Sequence, residues 1–448
     1  MATTMVGTVS TILAATIVNV AFPAMIREFN IGHDSLQWVA TGFLAATTTT
    51  MLATSWLVEA FGQRATFVAT MAVFLAASLL GASSWNTESL IAARVLQGAA
   101  AGVMQPLAMI AVFEVFPIEQ RGRAMGIFGF GVVLAPAVGP ALGGVLMEAF
   151  GWRAIFLLSL PFCVAALPLG WRWLSAARAS GPRRPFDWAG TLLLTAALVA
   201  LLNFPVIGHR RGWLSSVALA DGSIALALTL GFVAWQFRAP APLLAVRLLA
   251  RRGFRAALLV AVAYGLGLFG TTYLVPVFVQ DIAGYGPAKA GNLLLAPGFV
   301  LALAIALAGR LTDRAAPRYV VAGGLACFAL SSLLLAFATG ATAFWLLALW
   351  LTIGRVGLGF IIPALNVGAV ESLPPQFLGQ ASAAVNFARQ LGGAVGVNLL
   401  AVLLDWRLSA YGATGEATAA FRDCFLVVTI AFAAAVIPAS SIKKHSLG

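Results

Sequence analysis

A chain of 448 residues that is 61% hydrophobic and 9% charged departs sharply from soluble domains, which carry about 25% charged residues. No segment is polar enough to fold alone in water, so the composition excludes a soluble enzyme or binding module and leaves an all-α polytopic membrane protein. The formal net charge of +12 sits mostly in short loops between apolar runs, where basic residues set membrane orientation; no nucleic-acid partner is expected.

Pro and Gly breaks and charged loops divide the chain into about fourteen apolar runs, near 5–25, 36–58, 65–84, 89–115, 124–148, 153–174, 187–207, 215–237, 255–279, 287–308, 319–339, 342–370, 380–404 and 421–441. Each approaches the roughly 20 residues that cross a bilayer as a helix. The first run is too long for a signal-peptide core and lacks a basic leader, so it reads as a span. It carries Thr16 and Asn19 three residues apart on one helical face, candidate lining of a substrate path. The second run holds Thr41, Thr47 to Thr50 and Thr54, polar groups suited either to a cavity or to interhelical contact.

The fourth run contains Arg94. A guanidinium stays charged and is costly in hydrocarbon, so it should face the bundle interior. Gln97 and Gln105 share its helical face, which makes a polar stripe for carbonyls, a carboxylate or an anionic substrate group; a structural arginine that snorkels or caps carbonyls is the alternative. The fifth run places Gly131, Ala135, Gly139 and Gly143 at intervals of four, followed by Gly144. Such a stripe admits a closely packed neighbour, while Pro136 and Pro140 should bend the span and let it act as hinge and seal. At loops on one side, Glu59, Arg64 and Glu114, and in the later part Asp313, Arg314 and Arg318, suggest a charge network that latches one conformation.

The cysteines Cys163, Cys327 and Cys424 lie inside apolar runs without metal-ligand spacing and read as buried hydrophobes. No histidine falls within a run, so no histidine proton relay is evident. There is no phosphate-binding P-loop motif, no H-E-x-x-H and no G-x-S-x-G with a base, which excludes ATP as driver and gives no support to a membrane enzyme.

An even number of spans puts both termini on one side. Of the 27 Lys and Arg, seventeen then fall on that side, seven on the other, and Arg94, Arg355 and Arg389 within runs, an asymmetry that makes the terminal side cytoplasmic. The chain also repeats itself. "SWLVEAFGQR" after run 2 parallels "GRLTDRAAPR" after run 10, "RVLQGAAAGVMQP" parallels "RVGLGFIIP", and "RGRAMGIFGFG" is echoed by "GQASAAVNFARQLGG". Two parallel six-span halves follow, 1–174 and 254–448, joined by 175–253, which holds an additional two-helix hairpin. That is a transporter architecture with a midplane site. The hairpin's exit, 238–255, reads as an amphipathic interfacial linker.

These motifs resemble the major facilitator superfamily, in its fourteen-span drug:proton antiporter branch. "ATIVNVAFP" (15–23), "QWVATGFLA" (37–45), "RVLQGAAAG" (94–102), "APAVGPALGG" (135–144) and "GRLTDR" (309–314) stand in the branch's order; "SWLVEAFGQR" is a degraded form of its loop motif. The resemblance implies the major facilitator fold and a monomeric exporter of small hydrophobic or amphiphilic compounds in a bacterial inner membrane. It further implies alternating access, with no cofactor beyond a proton gradient. Some relatives work with a periplasmic adaptor and an outer-membrane channel. It also implies a part for Arg94 in proton coupling and for the span 5 motif in export. One position departs: where the branch commonly has Asp, two residues before Thr16, this chain has Ala14. The remaining proton-carrier candidates are Glu114, Glu28 and Asp281, all near span ends, and an uncoupled facilitator or uptake carrier is the alternative.

Overall fold

The computed structural model describes residues 2–29, 33–176, 185–244, 246–285, 287–411 and 417–442, and these contain helices and no strand. The helices are α1 (Ala2–Phe29), α2 (His33–Phe61), α3 (Gln63–Ala82), α4 (Thr87–Val115), α5 (Arg121–Phe150), α6 (Ala154–Leu157), α7 (Leu160–Trp173), α8 (Trp188–Arg211), α9 (Ser216–Arg238), α10 (Arg252–Asp281), α11 (Pro287–Arg314), α12 (Pro317–Ala336), α13 (Phe344–Glu371), α14 (Leu378–Tyr411) and α15 (Ala417–Ala439). Among the described residues, eleven helical segments are long and apolar enough to cross a membrane.

The ends are set by local chemistry. Asn86 and Ser89 form a reciprocal capping box at the start of α4, satisfying two N–H groups that the first turn leaves open. Gly151 and Gly212, at φ +80° and +87°, stop α5 and α8 in a conformation only glycine adopts without strain. The run expected over 153–174 is interrupted between α6 and α7. The linker expected over 238–255 is partly folded: a 3-10 turn over Val246–Ala250 brings Leu248 and Leu249 against an apolar cluster.

Helices α1 to α7 pack on one another, as do α10 to α15, with α2 on α4, α1 on α5, α10 on α14 and α13 on both α11 and α12. The groups meet chiefly through α5 with α11 and α2 with α14. Their shared apolar cluster sits at one end. Met109 and Phe113 of α4 and Met125 and Phe128 of α5 meet Phe254, Val367, Val370 and Ala384 from the other group. The hairpin α8–α9 is fastened to this body. Leu194 and Leu198 of α8 pack with Leu52 of α2 and Phe387 of α14. At its base the Asp187 carboxylate accepts from Gly190 N at 2.8 Å, Trp235 Nε1 at 2.7 Å and Gln236 Nε2 at 2.8 Å.

Candidate functional site

Arg94 is 2% exposed, seven residues into α4 and so about 10 Å along it. Its guanidinium donates to Val39 O at 3.3 Å, Ala14 O at 3.2 Å and Gln97 Oε1 at 2.9 Å, and lies 4.1 Å over the Phe43 ring. The ring's negative face and three acceptors offset the loss of hydration. The close approach of α2 makes this geometry. A Cβ on Gly98 would come within 2.3 Å of Phe43 O, and one on Gly102 within 2.1 Å of Thr47 O. Gln97 passes the network on, its Nε2 donating to Ser78 Oγ at 2.9 Å, and Ser78 Oγ lies 3.2 Å from Ser159 Oγ. Arg94 and Gln97 thus tie α1, α2 and α3 to α4 through neutral partners. Ala14 meets the guanidinium with its backbone oxygen alone and brings no charge to it.

Gln105 faces elsewhere. Its Oε1 accepts from Arg389 Nη2 of α14, and the same nitrogen donates to Asn386 Oδ1 at 3.1 Å. Asn386 is held in turn by a bond from Nδ2 to Ser382 O at 2.9 Å. The polar stripe of α4 therefore divides: its outer part stays within the first helix group and its inner part bridges to the second. Tyr264 of α10 is 2% exposed and lies in electrostatic range of both Arg389 and Arg355. Gly265 allows this, since a Cβ there would meet Arg389 O at 2.0 Å. Arg355 of α13 is half-buried, and no hydrogen bond or ion pair joins it to any described residue. Glu371, the acid on the same helix, is sixteen residues on, about 24 Å along α13.

Of the residues expected to form a latch, Asp313 alone makes a contact between the two helix groups that the hydrogen bonds among the described residues record. Asp313 at the end of α11 accepts from Gly122 N at 2.8 Å and Arg123 N at 3.0 Å, placing a carboxylate on the positive N-terminus of α5. Beneath it the two backbones almost touch: a Cβ on Gly309 would lie 2.5 Å from Gly122 O and 2.8 Å from Gly126 Cα. Glu59 is not its equivalent. It accepts from Ser55 Oγ of its own helix at 3.3 Å. Arg64 is turned away from Glu59 and donates from Nε to Leu174 O at 2.8 Å. Glu114 is exposed beside Gln63. Arg318 donates to its neighbour Tyr319 Oη at 3.0 Å, and exposed Arg314 lines a cleft of about 760 Å³ with Asp313, Arg310 and Arg123.

The small-residue stripe of α5 packs differently from the expectation. A Cβ on Gly131 would meet Met5 at 2.8 Å and one on Gly143 would meet Ile17 at 2.4 Å, so these positions hold α1, within the same group, and Gly139 is buried. The crossing seam to α11 is made instead by Gly122, Gly126 and Gly129, visible in sequence as the spacing of "GRAMGIFG". Helix α5 continues unbroken through Pro136 and Pro140. The side chains of Thr16, Asn19, Ala135, Pro136 and Pro140, and position Gly144 beyond its place in the helix, lie outside the described residues.

Glu28, at the other end of the molecule, accepts from Trp152 Nε1 and Arg153 Nη1. The Trp152 hydrogen bond first, then Arg153, holds its carboxyl below the usual carboxylate range, which suits a fixed anion and disfavours a proton carrier.

The described residues form a helical body with eleven segments long and apolar enough to cross a membrane, three buried or half-buried arginines and a close seam between two helix groups, the features of a polytopic membrane protein. The chain belongs to the Major Facilitator Superfamily, whose model matches residues 4–397. It is 31% identical over 398 residues to the multidrug resistance protein B homolog of Mycobacterium tuberculosis (strain ATCC 25618 / H37Rv), covering 88% of this chain and 74% of that protein. It is 28% identical over 405 residues to the methylenomycin A resistance protein of Streptomyces coelicolor, covering 89% and 85%. Among solved structures, the human organic anion transporter MFSD10 superposes with a TM-score of 0.69 at 15% identity over 98% of both chains; this likeness is one of fold.

Proposed function

We propose that the chain is a secondary transporter that exports small amphiphilic compounds across a bacterial inner membrane by alternating access. In this reading fourteen spans form two parallel six-span halves plus the α8–α9 hairpin, both termini are cytoplasmic, and the monomer works without a cofactor. The observation that carries it is the Asp313 seam. A carboxylate on an opposing helix N-terminus, over a glycine contact too tight for any side chain, closes one end and is released by a small rigid-body rotation. Positive-inside charge makes that end cytoplasmic. Resistance-protein relatives support export; a periplasmic adaptor and outer-membrane channel would complete the route.

Proton antiport is what the drug-exporting branch implies, with the acid supplied from a helix end. The Ala14 oxygen on Arg94 favours a second reading, a carrier with no proton step at the first span. Everted vesicles test the first claim: chain-dependent uptake of an amphiphile panel should fall at least tenfold in Gly309→Val. Uptake equal to that of vesicles lacking the chain, for every compound, would sink it.

A further inference from the structure

Arg355 and Arg389 lie deeper in their helices than any of the 15 acids does in a described helix, and Arg94 is buried nearer the end of α4. The three cations differ in how they are compensated. Arg94 has three acceptors and an aromatic face. Arg389 uses one nitrogen, on two amide oxygens. Arg355 has no hydrogen-bond acceptor among the described residues, and the Tyr264 hydroxyl, in electrostatic range of both Arg355 and Arg389, has no hydrogen-bond partner among them either. Arg355 lies eleven residues from the start of α13 and Arg389 eleven from the start of α14, each about 16 Å deep. A guanidinium at that depth without a counter-charge is strongly unfavourable and marks a functional site. A guanidinium fork fits a planar anion bidentately.

We propose that Arg355, Arg389 and Tyr264 bind the anionic group of the transported compound, a carboxylate, sulfonate or phosphate on an apolar body. The inference rests on the transporter reading and names its substrate class. Gln105 and Asn386 hold the Arg389 guanidinium by hydrogen bonds from one of its nitrogens, which leaves its other N–H groups for a ligand. Export of a monoanion is electrogenic. A potential of 100 mV, negative inside, sustains an outward gradient of about 50-fold per charge, so such a carrier needs no proton-bearing acid, in keeping with Ala14.

The test is thermal unfolding of the purified chain with a matched trio: 1-naphthaleneacetate, 1-naphthaleneacetamide and 2-(1-naphthyl)ethylamine, with sodium chloride at equal concentration as reference. Wild type should be stabilised by the carboxylate alone, and Arg355→Gln should weaken that binding at least tenfold. Arg355→Lys should keep part of it. Without ligand, Arg355→Gln should melt above wild type, since it removes an uncompensated cation; a merely structural arginine would give the opposite. Equal protection by the amide, amine or chloride, or carboxylate binding unchanged in Arg355→Gln, overturns the proposal. If the amine is nonetheless carried into vesicles, the exporter reading stands without it; if no compound binds or moves, both fail.

Discussion

At the scale of single residues, the same side chain does different work according to what surrounds it. Arg94 and Arg355 open similar stretches of sequence, "RVLQG" and "RVGLG", yet one is locked into carbonyls and a ring and the other has no acceptor among the described residues. Their substitutions should therefore diverge. Arg94→Ala empties a fully buried site and strands the Gln97 oxygen, so it should destabilise the folded chain by about 2–4 kcal/mol, read as a lower melting temperature in detergent, whereas Arg355→Gln should raise it. Glu28 gives a pH signature. Its folded pKa is depressed, so its contribution is present above the unfolded carboxylate value and is lost as pH falls through the folded value. The Glu28–Arg153 pair is about two-fifths exposed on each side, which limits its worth to less than ~1 kcal/mol. The melting difference between wild type and Glu28→Gln should be flat near neutrality and vanish in acid. A difference that grows on acidification would contradict this assignment.

At the scale of elements, the helix boundaries were legible because apolar length and terminal chemistry fix them: the run at 89–115 became α4 (Thr87–Val115) and that at 255–279 became α10 (Arg252–Asp281). Partners were not legible. The stripe from Gly131 to Gly143 announced close packing but not against which helix, and the seam to α11 came from the preceding glycines. The threonine run of α2 spends its hydroxyls largely on its own helix, Thr48 on Leu44 O and Thr50 on Ala46 O; Thr47 also reaches Gly98 O at 3.0 Å. Glu59 is one methylene longer than Asp313 and bonds back to Ser55, a distinction the loop motif alone does not carry. The latch makes an element-scale prediction. Asp313→Asn keeps an acceptor but loses the charge on the α5 N-terminus, a change of roughly 0.3–2 kcal/mol. Ala124→Cys, in a background without native cysteines, should then label faster with an impermeant maleimide from the cytoplasmic side, and Glu59→Gln should leave that rate unchanged. Equal rates in Asp313→Asn and wild type would remove Asp313 from the gate.

At the scale of the whole molecule, two helix groups meet through a glycine seam and an apolar seal at one end, while the proposed anion site of Arg355 and Arg389 lies about 16 Å into α13 and α14. Arg94 was conspicuous in the sequence because a permanent charge stands out in an apolar run. The site formed by Arg355, Arg389, Tyr264 and Gln105 was not, because it joins residues from α4, α10, α13 and α14 that only tertiary packing brings together. The most direct measurement is uptake of labelled 1-naphthaleneacetate into everted vesicles under an imposed potential, positive inside, with no pH gradient. The account predicts chain-dependent uptake that rises with the potential, falls at least tenfold in Arg355→Gln and is abolished by Gly309→Val. Uptake that ignores the potential and both substitutions, or that follows only a pH gradient, would contradict it.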